Sequence, residues 1–232
     1  MKYTFSVVLP LYKQDDQIEA ITSLYKKNLL KIGSTLEILL VVNGPTSLNE
    51  NDIKRISSKD GSLKIFILKE SGWGRAVRFG ISEASGDFIC YTNSARTDIG
   101  DLVNMLVLAK KNSPYLIKAN RIIRDFSSLR KLGSILYNFE FRLLFRVPVW
   151  DVNGTPKIFP KNAIKAIDMS SNDDLIDAEI LYKVYKNKHH VLEFPIYSNK
   201  RIGGESTTKI FSALNMYIGL FNLYRSLVKI KS

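Results

Sequence analysis

The sequence predicts an α/β fold in which helices flank a mostly parallel sheet. Short apolar runs rich in Val, Ile and Phe alternate with stretches long enough for a helix, which is the pattern of successive βαβ units. A chain of 232 residues with 45% hydrophobic content can bury one substantial core, and no Gly/Ser-rich or Pro-rich linker divides it. The predicted strands are residues 5–11, 36–42, 63–68 and 87–92, and the predicted helices between them are residues 15–32, 51–58 and 74–85.

The cysteine content and the amino-terminal residues help to predict where in the cell the protein is found. Cys90 is the only cysteine, which excludes an internal disulfide, and its place inside an apolar run predicts a buried, inert thiol. Met1 is followed almost at once by the first predicted strand, which leaves no room for a signal peptide. We therefore expect a cytoplasmic protein.

The chain is strongly basic, with 34 Lys and Arg residues against 22 Asp and Glu residues and a formal net charge of +12. This charge favours an anionic partner. Nucleic acid is one such partner, but the sequence contains no zinc-binding spacing, no RNA-recognition signature and no basic helix interleaved with aromatic residues. We expect no nucleic-acid binding, and two segments of the chain, residues 127–150 and 210–224, favour a phospholipid surface instead.

The ends of the predicted strands indicate where a ligand binds. In an open parallel sheet, ligands bind outside the carboxyl ends of the strands. This rule places the loops that follow Leu9, Val42 and Thr92 around one crevice. Residues on these loops are therefore the first candidates for a binding site.

Motifs on these loops point to a family. Residues 5–12 are Phe-Ser-Val-Val-Leu-Pro-Leu-Tyr, and residues 37–47 are Glu-Ile-Leu-Leu-Val-Val-Asn-Gly-Pro-Thr-Ser. Residues 72–80 are Gly-Trp-Gly-Arg-Ala-Val-Arg-Phe-Gly, and residues 86–98 are Gly-Asp-Phe-Ile-Cys-Tyr-Thr-Asn-Ser-Ala-Arg-Thr-Asp. In this order the segments resemble the nucleotide-sugar core of family 2 glycosyltransferases, which implies a Rossmann-like GT-A fold.

Segments of the carboxyl-terminal half extend the resemblance over almost the whole chain. Residues 150–159, 177–182 and 201–209 resemble the subgroup that includes dolichyl-phosphate mannose synthase and bacterial polyprenyl-phosphate transferases. This resemblance implies inverting transfer of a hexose from a nucleotide sugar to a membrane-associated acceptor. The acceptor is expected to be a polyprenyl phosphate or a lipid-linked glycan.

The fourth predicted strand ends in a triplet that departs from the family pattern. The family has Asp-x-Asp here, whose carboxylates hold a divalent cation against the donor pyrophosphate, whereas this chain has Asn93-Ser94-Ala95. A hard cation needs anionic oxygen ligands, so we expect no Mg²⁺ or Mn²⁺ and no other cofactor. Arg96, with support from Lys13 and Arg75, is expected to neutralise the pyrophosphate instead.

The resemblance implies a donor site on the same loops. The expected donor-binding residues are Pro10, Tyr12, Lys13, Asn43, Gly72, Gly74, Arg75, Arg78, Asn93, Ala95 and Arg96. Paired glycines before a helix also suit a plain tight turn, and Arg78 also suits a solvated helix position. Val42 stands where the family has the Asp that binds the nucleotide base, so the base is not specified.

The altered triplet leaves three interpretations open. In the first, the chain is a metal-free transferase. In the second, it is a transferase whose metal is held in another way, for example through Asp98. In the third, it is a catalytically inactive relative. An inactive relative would bind a glycan, a lipid phosphate or a transferase partner. Asp98 also suits the amino-terminal cap of a helix over residues 99–111.

Acidic residues of the carboxyl-terminal half match acceptor-side positions of the family. They are Asp151, Asp177 and Glu179, the expected catalytic residues. Asp177 and Glu179 are two residues apart and cannot share one helix face, so only one should point into the site. A hydroxyl acceptor would need a general base, for which Asp177 is the first choice, whereas a phosphate acceptor is already anionic. The alternative is a plain helix start opened by Asp173 and Asp174.

The resemblance also implies residues that bind phosphate groups on the acceptor side. These are Arg121, Arg130, Arg201, Glu205, Ser206 and Lys209. The last four belong to a stretch that forms a mobile loop near the donor phosphates in the subgroup. A plain glycine-containing loop is the alternative for that stretch.

Two segments have the composition of helices at a membrane surface. Residues 127–150 mix large apolar residues with Arg and Lys, and residues 210–224 are uncharged with polar or small residues at helical spacing. The second is shorter than the ~20 residues that span a bilayer, so we expect it to lie in the interface or on a partner. Packing on the protein's own core is the alternative for both. We predict a GT-A domain at residues 1–206, a carboxyl-terminal amphipathic helix within 207–232, and a peripheral position on the inner face of the membrane.

Overall fold

The computed structural model describes residues 4–58, 61–123, 128–197 and 210–228. The strands are β1 (Thr4–Leu11), β2 (Thr35–Asn43), β3 (Leu63–Leu68), β4 (Phe88–Tyr91), β5 (Leu116–Ile123), β6 (Lys157–Pro160) and β7 (Val191–Tyr197). The helices are α1 (Ile18–Leu29), α2 (Glu50–Ser58), α3 (Trp73–Glu83), α4 (Ile99–Lys111), α5 (Ser128–Phe145), α6 (Lys161–Lys165), α7 (Ile176–Lys186) and α8 (Ile210–Val228).

The strands form one seven-stranded sheet in the order β3-β2-β1-β4-β6-β5-β7. The first four strands in this order are mutually parallel, β6 is antiparallel to β4 and β5, and β7 is parallel to β5. The predicted mostly parallel sheet flanked by helices is confirmed. The antiparallel strand β6 pairs Lys157 with Tyr91, the last residue of β4, and so brings a lysine to the carboxyl end of the parallel half.

Each face of the sheet covers a separate hydrophobic core. In β1, Phe5, Val7 and Leu9 contribute to the core beneath α1 and α4, whereas Val8 contributes to the core beneath α3, α5, α7 and α8. This alternation follows from the two-residue period of a strand that is buried on both faces. The sheet therefore separates α5 and α8 from α1.

The predicted elements of the first half match the observed ones closely. The helix predicted over residues 15–32 is α1 with a 3₁₀ turn at each end, Asp15–Gln17 and Leu30–Ile32. The helix predicted at 99–111 is α4, and Oδ1 of Asp98 accepts hydrogen bonds from the backbone N–H groups of Gly100 (2.8 Å) and Asp101 (3.1 Å). Asp98 is thus the predicted helix cap, which accounts for its carboxylate without a metal.

The carboxyl-terminal helix α8 packs on α5. Leu220 and Leu223 are buried in the core that α5 also covers. The hydroxyl of Tyr217 donates to the backbone O of Gly133 (2.6 Å), and the Tyr217 ring meets that of Tyr137 edge-on at 6.1 Å between centroids. Packing on the protein's own core is therefore observed for one face of α8. In the described part of the chain, no helix has the length and apolar character that a membrane span requires.

Candidate active site

The ends of β1 and β2 and the start of α3 meet at one buried amide. Nδ2 of Asn43, the last residue of β2, donates to the backbone O of Leu11 (2.8 Å). Oδ1 of Asn43 accepts from the backbone N–H of Gly72 (3.0 Å), which directly precedes α3. The side chain is 4% exposed. Asn43 therefore fixes the walls of the predicted crevice, and its predicted contact with the donor remains a prediction.

A second link between the loops was missed by the sequence analysis. Oδ2 of Asp15 accepts hydrogen bonds from the Oγ1 of Thr46 (2.8 Å), the backbone N–H of Ser47 (2.7 Å) and the Oγ of Ser47 (3.0 Å). Partial burial opposes ionisation, but these hydrogen bonds outweigh it and hold the pKa of Asp15 below its usual value. The ends of β1 and β2 and the loops that follow them are thus joined at two points.

Tyr12 and Lys13 follow β1 at this crevice. The ring of Tyr12 packs against Gly44, where a Cβ atom would lie 3.1 Å from the ring. Lys13 is exposed, has a φ of 52°, and holds its Nζ 5.6 Å from the centroid of the Tyr12 ring. Pro10 is a buried residue of β1 and pairs with Val41 of β2. Its predicted contact with the donor remains a prediction.

The Asn93-Ser94-Ala95 triplet forms a tight turn after β4. The backbone O of Asn93 accepts from the N–H groups of Arg96 (3.1 Å) and Thr97 (3.1 Å), and its Oδ1 accepts from the N–H of Ala95 (3.1 Å). Ala95 is 2% exposed, and the Oγ of Ser94 is buried without a hydrogen-bond partner among the described residues. The side-chain oxygen of Asn93 therefore bonds within the turn itself.

The glycines at the start of α3 allow another segment to lie against the helix. A Cβ on Gly72, which has a φ of 148°, would lie 2.5 Å from the backbone O of Asn172, and a Cβ on Gly74 would lie 2.6 Å from that of Asp173. The O of Asn172 accepts the backbone N–H of Arg75 (3.1 Å). Close packing against the 172–173 segment thus accounts for both glycines, and it is a different reason from the tight turn that the sequence left open.

Two arginines predicted to bind the donor are bonded to other groups. Nη1 of Arg78 donates to the backbone O of Ser170 (2.9 Å) and to Oδ1 of Asn172 (2.8 Å), so Arg78 holds the 170–172 segment on α3. Nη2 of Arg75 lies 2.5 Å from Oε2 of Glu70. The guanidinium of Arg78 is therefore bonded to a neighbouring loop, and its predicted contact with the donor remains a prediction.

Asp177 lies at the centre of a buried polar cluster built from four elements. Its Oδ1 accepts from Nζ of Lys157 on β6 and from the hydroxyl of Tyr91 on β4 (2.7 Å), and its Oδ2 accepts from Nε1 of Trp73 on α3 (3.2 Å). Asp177 itself is in the first turn of α7 and is 3% exposed. The antiparallel pairing of Lys157 with Tyr91 brings both donors to the same carboxylate oxygen.

Burial changes the titration of the groups around Asp177. Desolvation of Lys157 lowers its pKa to about 8, although the Asp177 carboxylate opposes this change. Burial raises the pKa of Tyr91 well above its ordinary value, and the negative charge of Asp177 adds to the effect. Lys157 and Asp177 thus form an ion pair inside the core.

Asp151 is held in a bidentate pair with Arg121. Oδ2 of Asp151 accepts from the backbone N–H (3.0 Å) and Nε (2.7 Å) of Arg121, and Oδ1 accepts from Nη2 (2.6 Å). Nearby, Nζ of the fully buried Lys118 lies 2.7 Å from Oε1 of Glu193. Arg121, predicted to bind acceptor phosphate, and Asp151, predicted to be catalytic, are thus engaged with each other.

Glu179 points away from Asp177, as the two-residue spacing predicts. Its Oε1 accepts from the N–H (2.9 Å) and Oγ (2.8 Å) of Ser170 and from Nζ of Lys183 (2.6 Å), and its Oε2 accepts from the N–H of Ser171 (2.7 Å). Burial opposes ionisation, but these donors lower the pKa of Glu179 to about 2. The structure gives this predicted catalytic residue the role of fixing the 170–171 turn.

Asp174 is another carboxyl group in the surroundings of Asp177. Partial burial, and then the charges of Asp177 and Asp173, raise the pKa of Asp174 to about 6. Tyr137 on α5 is 6% exposed, and its hydroxyl has no hydrogen-bond partner among the described residues. Burial raises its pKa, and the charges of Asp177 and Asp174 raise it further, which places Tyr137 in the same electrostatic environment.

Several predicted phosphate-binding groups lie outside the described residues. They are the side chain of Arg130 and the whole of Arg201, Glu205, Ser206 and Lys209. Their predicted roles remain predictions.

Comparison with known proteins identifies the family. The model of glycosyl transferase family 2 matches residues 6–167, which include all the loops of the crevice. This chain belongs to glycosyltransferase family 2. The matched region begins in β1 and ends after α6, so Asp177 and Glu179 on α7 lie beyond it.

Named relatives agree with this assignment. The chain is 20% identical over 217 residues to an undecaprenyl-phosphate 4-deoxy-4-formamido-L-arabinose transferase of Pseudomonas aeruginosa, covering 93% of this chain and 63% of the relative. The chain thus spans less than two thirds of the length of that transferase.

Solved structures share the fold at low sequence identity. Glucosyl-3-phosphoglycerate synthase from Mycobacterium tuberculosis, bound to Mn²⁺, UDP and phosphoglyceric acid, has a TM-score of 0.67 at 14% identity over 97% of this chain and 78% of its own. A mannosyltransferase from Pyrobaculum calidifontis, bound to GDP-mannose and Mn²⁺, has a TM-score of 0.57 at 14% identity over 88% of this chain and 58% of its own.

The residues of the turn after β4 do not fit the manganese ion of these neighbours. Asn93 offers a neutral amide oxygen that already accepts a hydrogen bond, and Ala95 offers no ligand. Among the described residues, no group of three or more His, Cys, Asp or Glu side chains is arranged to hold a metal. Hard divalent cations require several oxygen ligands, of which carboxylates are the strongest, so the turn lacks the donor set for Mn²⁺.

The sequence analysis missed the partners of the predicted residues. Lys157 and Tyr91 are part of the motifs that resemble the family, but the sequence assigned neither a role. Trp73 was also given no role, although Gly72 and Gly74 on either side of it were assigned to the donor site. A lysine in the otherwise apolar strand Lys157–Pro160 was the available signal, because a lysine is almost never fully buried unless it is paired. Nothing local indicated that its partner would be Asp177.

Proposed function

We propose that this chain is an inverting glycosyltransferase that moves a hexose from a nucleotide sugar to a polyprenyl phosphate at the inner face of the membrane. Family membership and the undecaprenyl-phosphate transferase relatives support the reaction class. In the proposed step, a phosphate oxygen of the acceptor attacks the anomeric carbon while the bond from that carbon to the donor pyrophosphate breaks. The nucleoside diphosphate leaves from the opposite face, so the configuration inverts.

The pairing of the predicted catalytic carboxylates favours a phosphate acceptor, and this is the observation that carries the proposal. Asp151 is paired with Arg121, Asp177 with Lys157 and Glu179 with Lys183. A general base must have a lone pair within hydrogen-bond reach of a substrate hydroxyl. An acceptor phosphate oxygen is already anionic and attacks with a lone pair. Because it has no proton to lose, transfer to phosphate requires no such base.

On the donor side, we propose that basic residues stabilise the departing pyrophosphate without a metal ion. Arg96 follows the turn where the family has its metal ligands, Lys13 lies on the loop after β1, and Arg75 is in the first turn of α3. Guanidinium and ammonium groups stabilise charge that develops on phosphate oxygens. Glu70 must release Arg75, to which it is bound here, for Arg75 to take part.

Donor binding tests the proposal directly. Thermal unfolding is measured with UDP-, GDP- and dTDP-sugars, first with EDTA and then with Mn²⁺. A ligand at 100 times its dissociation constant stabilises the folded state by about 2.7 kcal/mol, which is readily measured. We expect one nucleotide sugar to raise the melting temperature in EDTA.

A rise that requires Mn²⁺ would contradict the metal-free site and leave the transferase assignment intact. No rise with any donor in either condition would contradict the proposal. It would favour the alternative that the chain is an inactive relative that binds a glycan, a lipid phosphate or a partner protein.

A further inference from the structure

Helix α5 carries an exposed stripe of large apolar side chains. The α5 apolar face consists of Leu132 (54% exposed), Ile135 (61%), Leu136 (51%), Phe139 (61%) and Leu143 (66%). Their spacing of three and four residues places all of them on one side of the helix. None of them is covered by residues 4–58, 61–123, 128–197 or 210–228. A contiguous apolar stripe of this kind is unusual on a monomer and marks an interaction surface.

This face cannot turn inward, because the opposite face of α5 is fixed in the core. Tyr137, Phe141 and Phe145 are buried there, and Phe145 meets Tyr224 of α8 edge-on at 5.6 Å between ring centroids. The hydrogen bond from Tyr217 to Gly133 attaches α8 to the same helix. Helix α8 also exposes two large apolar residues of its own, Ile218 (55%) and Phe221 (48%).

The charged residues in the sequence segments that contain α5 and α8 are almost all basic. Residues 127–150 and 210–232 together contain seven basic residues, Arg130, Lys131, Arg142, Arg146, Arg225, Lys229 and Lys231, against the single acidic residue Glu140. Among the described side chains, those of Lys131, Arg146 and Arg225 are exposed. Arg142 stacks on the half-exposed ring of Trp150, with its Cζ 3.9 Å from the ring centroid. Arginine and tryptophan side by side are typical of the boundary between headgroups and acyl chains.

Charge decides which partner fits this surface. A second copy of the chain would bring the same basic residues against each other, which is unfavourable. A stable protein interface also uses about 20 to 30 residues a side, many more than this stripe provides. An anionic bilayer accepts apolar side chains and attracts each nearby Lys or Arg, so it fits both properties.

We propose that the α5 apolar face, together with Ile218 and Phe221, inserts into the headgroup region of an anionic phospholipid bilayer. The proposal deepens the proposed function, since it rests on a lipid-linked acceptor for its biological meaning. Tyr137, on the inner side of α5, belongs to the same hydrophobic core as Ile176 and Ala178, the residues on either side of Asp177 in the sequence of α7. Helix α5 therefore carries the apolar face on one side and packs with its other side on the core that contains the start of α7.

Vesicle binding of the whole chain tests this inference without any substrate. Vesicles of phosphatidylcholine, with and without phosphatidylglycerol, are sedimented with the wild type and with an Ile135→Ser/Phe139→Ser variant. We expect the wild type to bind the anionic vesicles. The variant should bind them at least about tenfold more weakly. Both residues are exposed, so the variant should keep its melting temperature.

Matched controls lie on the other side of the sheet. Leu24 (47% exposed) and Leu30 (54%), in and after α1, are exposed to a similar degree, so a Leu24→Ser/Leu30→Ser variant should bind like the wild type. For the charges, Lys131→Gln/Arg225→Gln should weaken binding to anionic vesicles more than Lys27→Gln/Lys111→Gln, although both pairs lower the net charge equally.

Absence of wild-type binding, or an equal loss in the test and control variants, would overturn the inference. A wild type that sediments as a dimer and an Ile135→Ser/Phe139→Ser variant that sediments as a monomer would show a protein partner instead. Donor-induced thermal shifts on the same samples separate this result from the proposed function. A chain that binds vesicles through α5 but binds no nucleotide sugar refutes only the transferase.

Discussion

At the residue scale, each acidic residue expected to act on the acceptor is buried beside a cation. Lys157 is fully buried against Asp177, and Glu179 is buried with Lys183 at its Oε1. Removing a charge from water costs several kcal/mol unless a partner and hydrogen bonds replace the solvent. The folded state therefore needs these pairs to keep the buried charges stable. Asp174 differs from the paired carboxylates because its pKa is raised. Its pKa of about 6 suits a general base at neutral pH.

Replacing Asp174 distinguishes a phosphate acceptor from a hydroxyl acceptor. For transfer to polyprenyl phosphate, we expect Asp174→Asn to lower kcat/KM by less than about tenfold, whereas loss of a general base lowers the rate by roughly 10²- to 10⁴-fold. A lipid phosphate loses its second proton near pH 6, so the rise of kcat/KM with pH should persist in the variant. If Asp174 were the base, deprotonation above its pKa of about 6 would cause that rise, and the variant would lose it.

The matched control is Asp173→Asn. Oδ1 of Asp173 accepts the backbone N–H of Leu175 (3.0 Å), and an asparagine oxygen can accept the same hydrogen bond. This variant should leave the pH profile unchanged. A large loss in Asp174→Asn alone, together with a flat pH profile, would contradict the phosphate acceptor.

At the scale of elements, the segment between α6 and α7 is bound to both α7 and α3. The carboxylate of Glu179 accepts hydrogen bonds from the backbone N–H groups of Ser170 and Ser171. The guanidinium of Arg78 donates to the backbone O of Ser170 and to the side-chain oxygen of Asn172. The absence of side chains on Gly72 and Gly74 lets the two backbones approach. The start of α3 and the start of α7, which carry Trp73 and Asp177, are thereby brought together.

A single methyl group should disturb this contact. A Cβ on Gly74 would lie 2.6 Å from the backbone O atoms of Ser171 and Asp173, so Gly74→Ala must displace one of the segments. Overpacking of this kind costs typically 1–3 kcal/mol, of which the better helix propensity of alanine returns about 1 kcal/mol. We expect a net loss of up to about 2 kcal/mol in the free energy of unfolding, measured by urea denaturation.

Gly61→Ala is the control, because a Cβ there would meet nothing within 4 Å. Its free energy of unfolding should change by less than about 1 kcal/mol. Equal effects of the two substitutions would show that α3 and the 171–173 segment do not touch as described.

Sequence periodicity predicted these elements well because it is a local property. The strand pattern located β1 to β4, and Asp98 located the start of α4, since a cap acts within one helical turn. The antiparallel β6 and the pairing of Lys157 with Asp177 depend on contacts between distant parts of the chain, which no local pattern contains. For the same reason the sequence did not reveal the partners of Arg78 within the chain, which are 92 and 94 residues away.

At the scale of the whole molecule, the question is whether α8 is part of the folded domain. The sequence predicted a domain at residues 1–206 followed by a separate amphipathic helix. In the structure, Leu220 is fully buried in the core shared by α3, α5 and α7, while Ile218 on the same helix is 55% exposed. An amphipathic pattern predicts that one face of a helix is covered, but it cannot distinguish a lipid from the protein's own core.

Two substitutions on α8 measure how far this helix stabilises the domain. Leu220→Ala removes a buried side chain and leaves a cavity, which costs typically 2–5 kcal/mol. Ile218→Ala removes an exposed side chain of the same size and should cost less than about 1 kcal/mol. The measurement is the urea midpoint of the whole chain without vesicles. If Leu220→Ala left the midpoint unchanged, α8 would be an independent helix as the sequence predicted, and α5 would then lose the support that holds its apolar face towards the membrane.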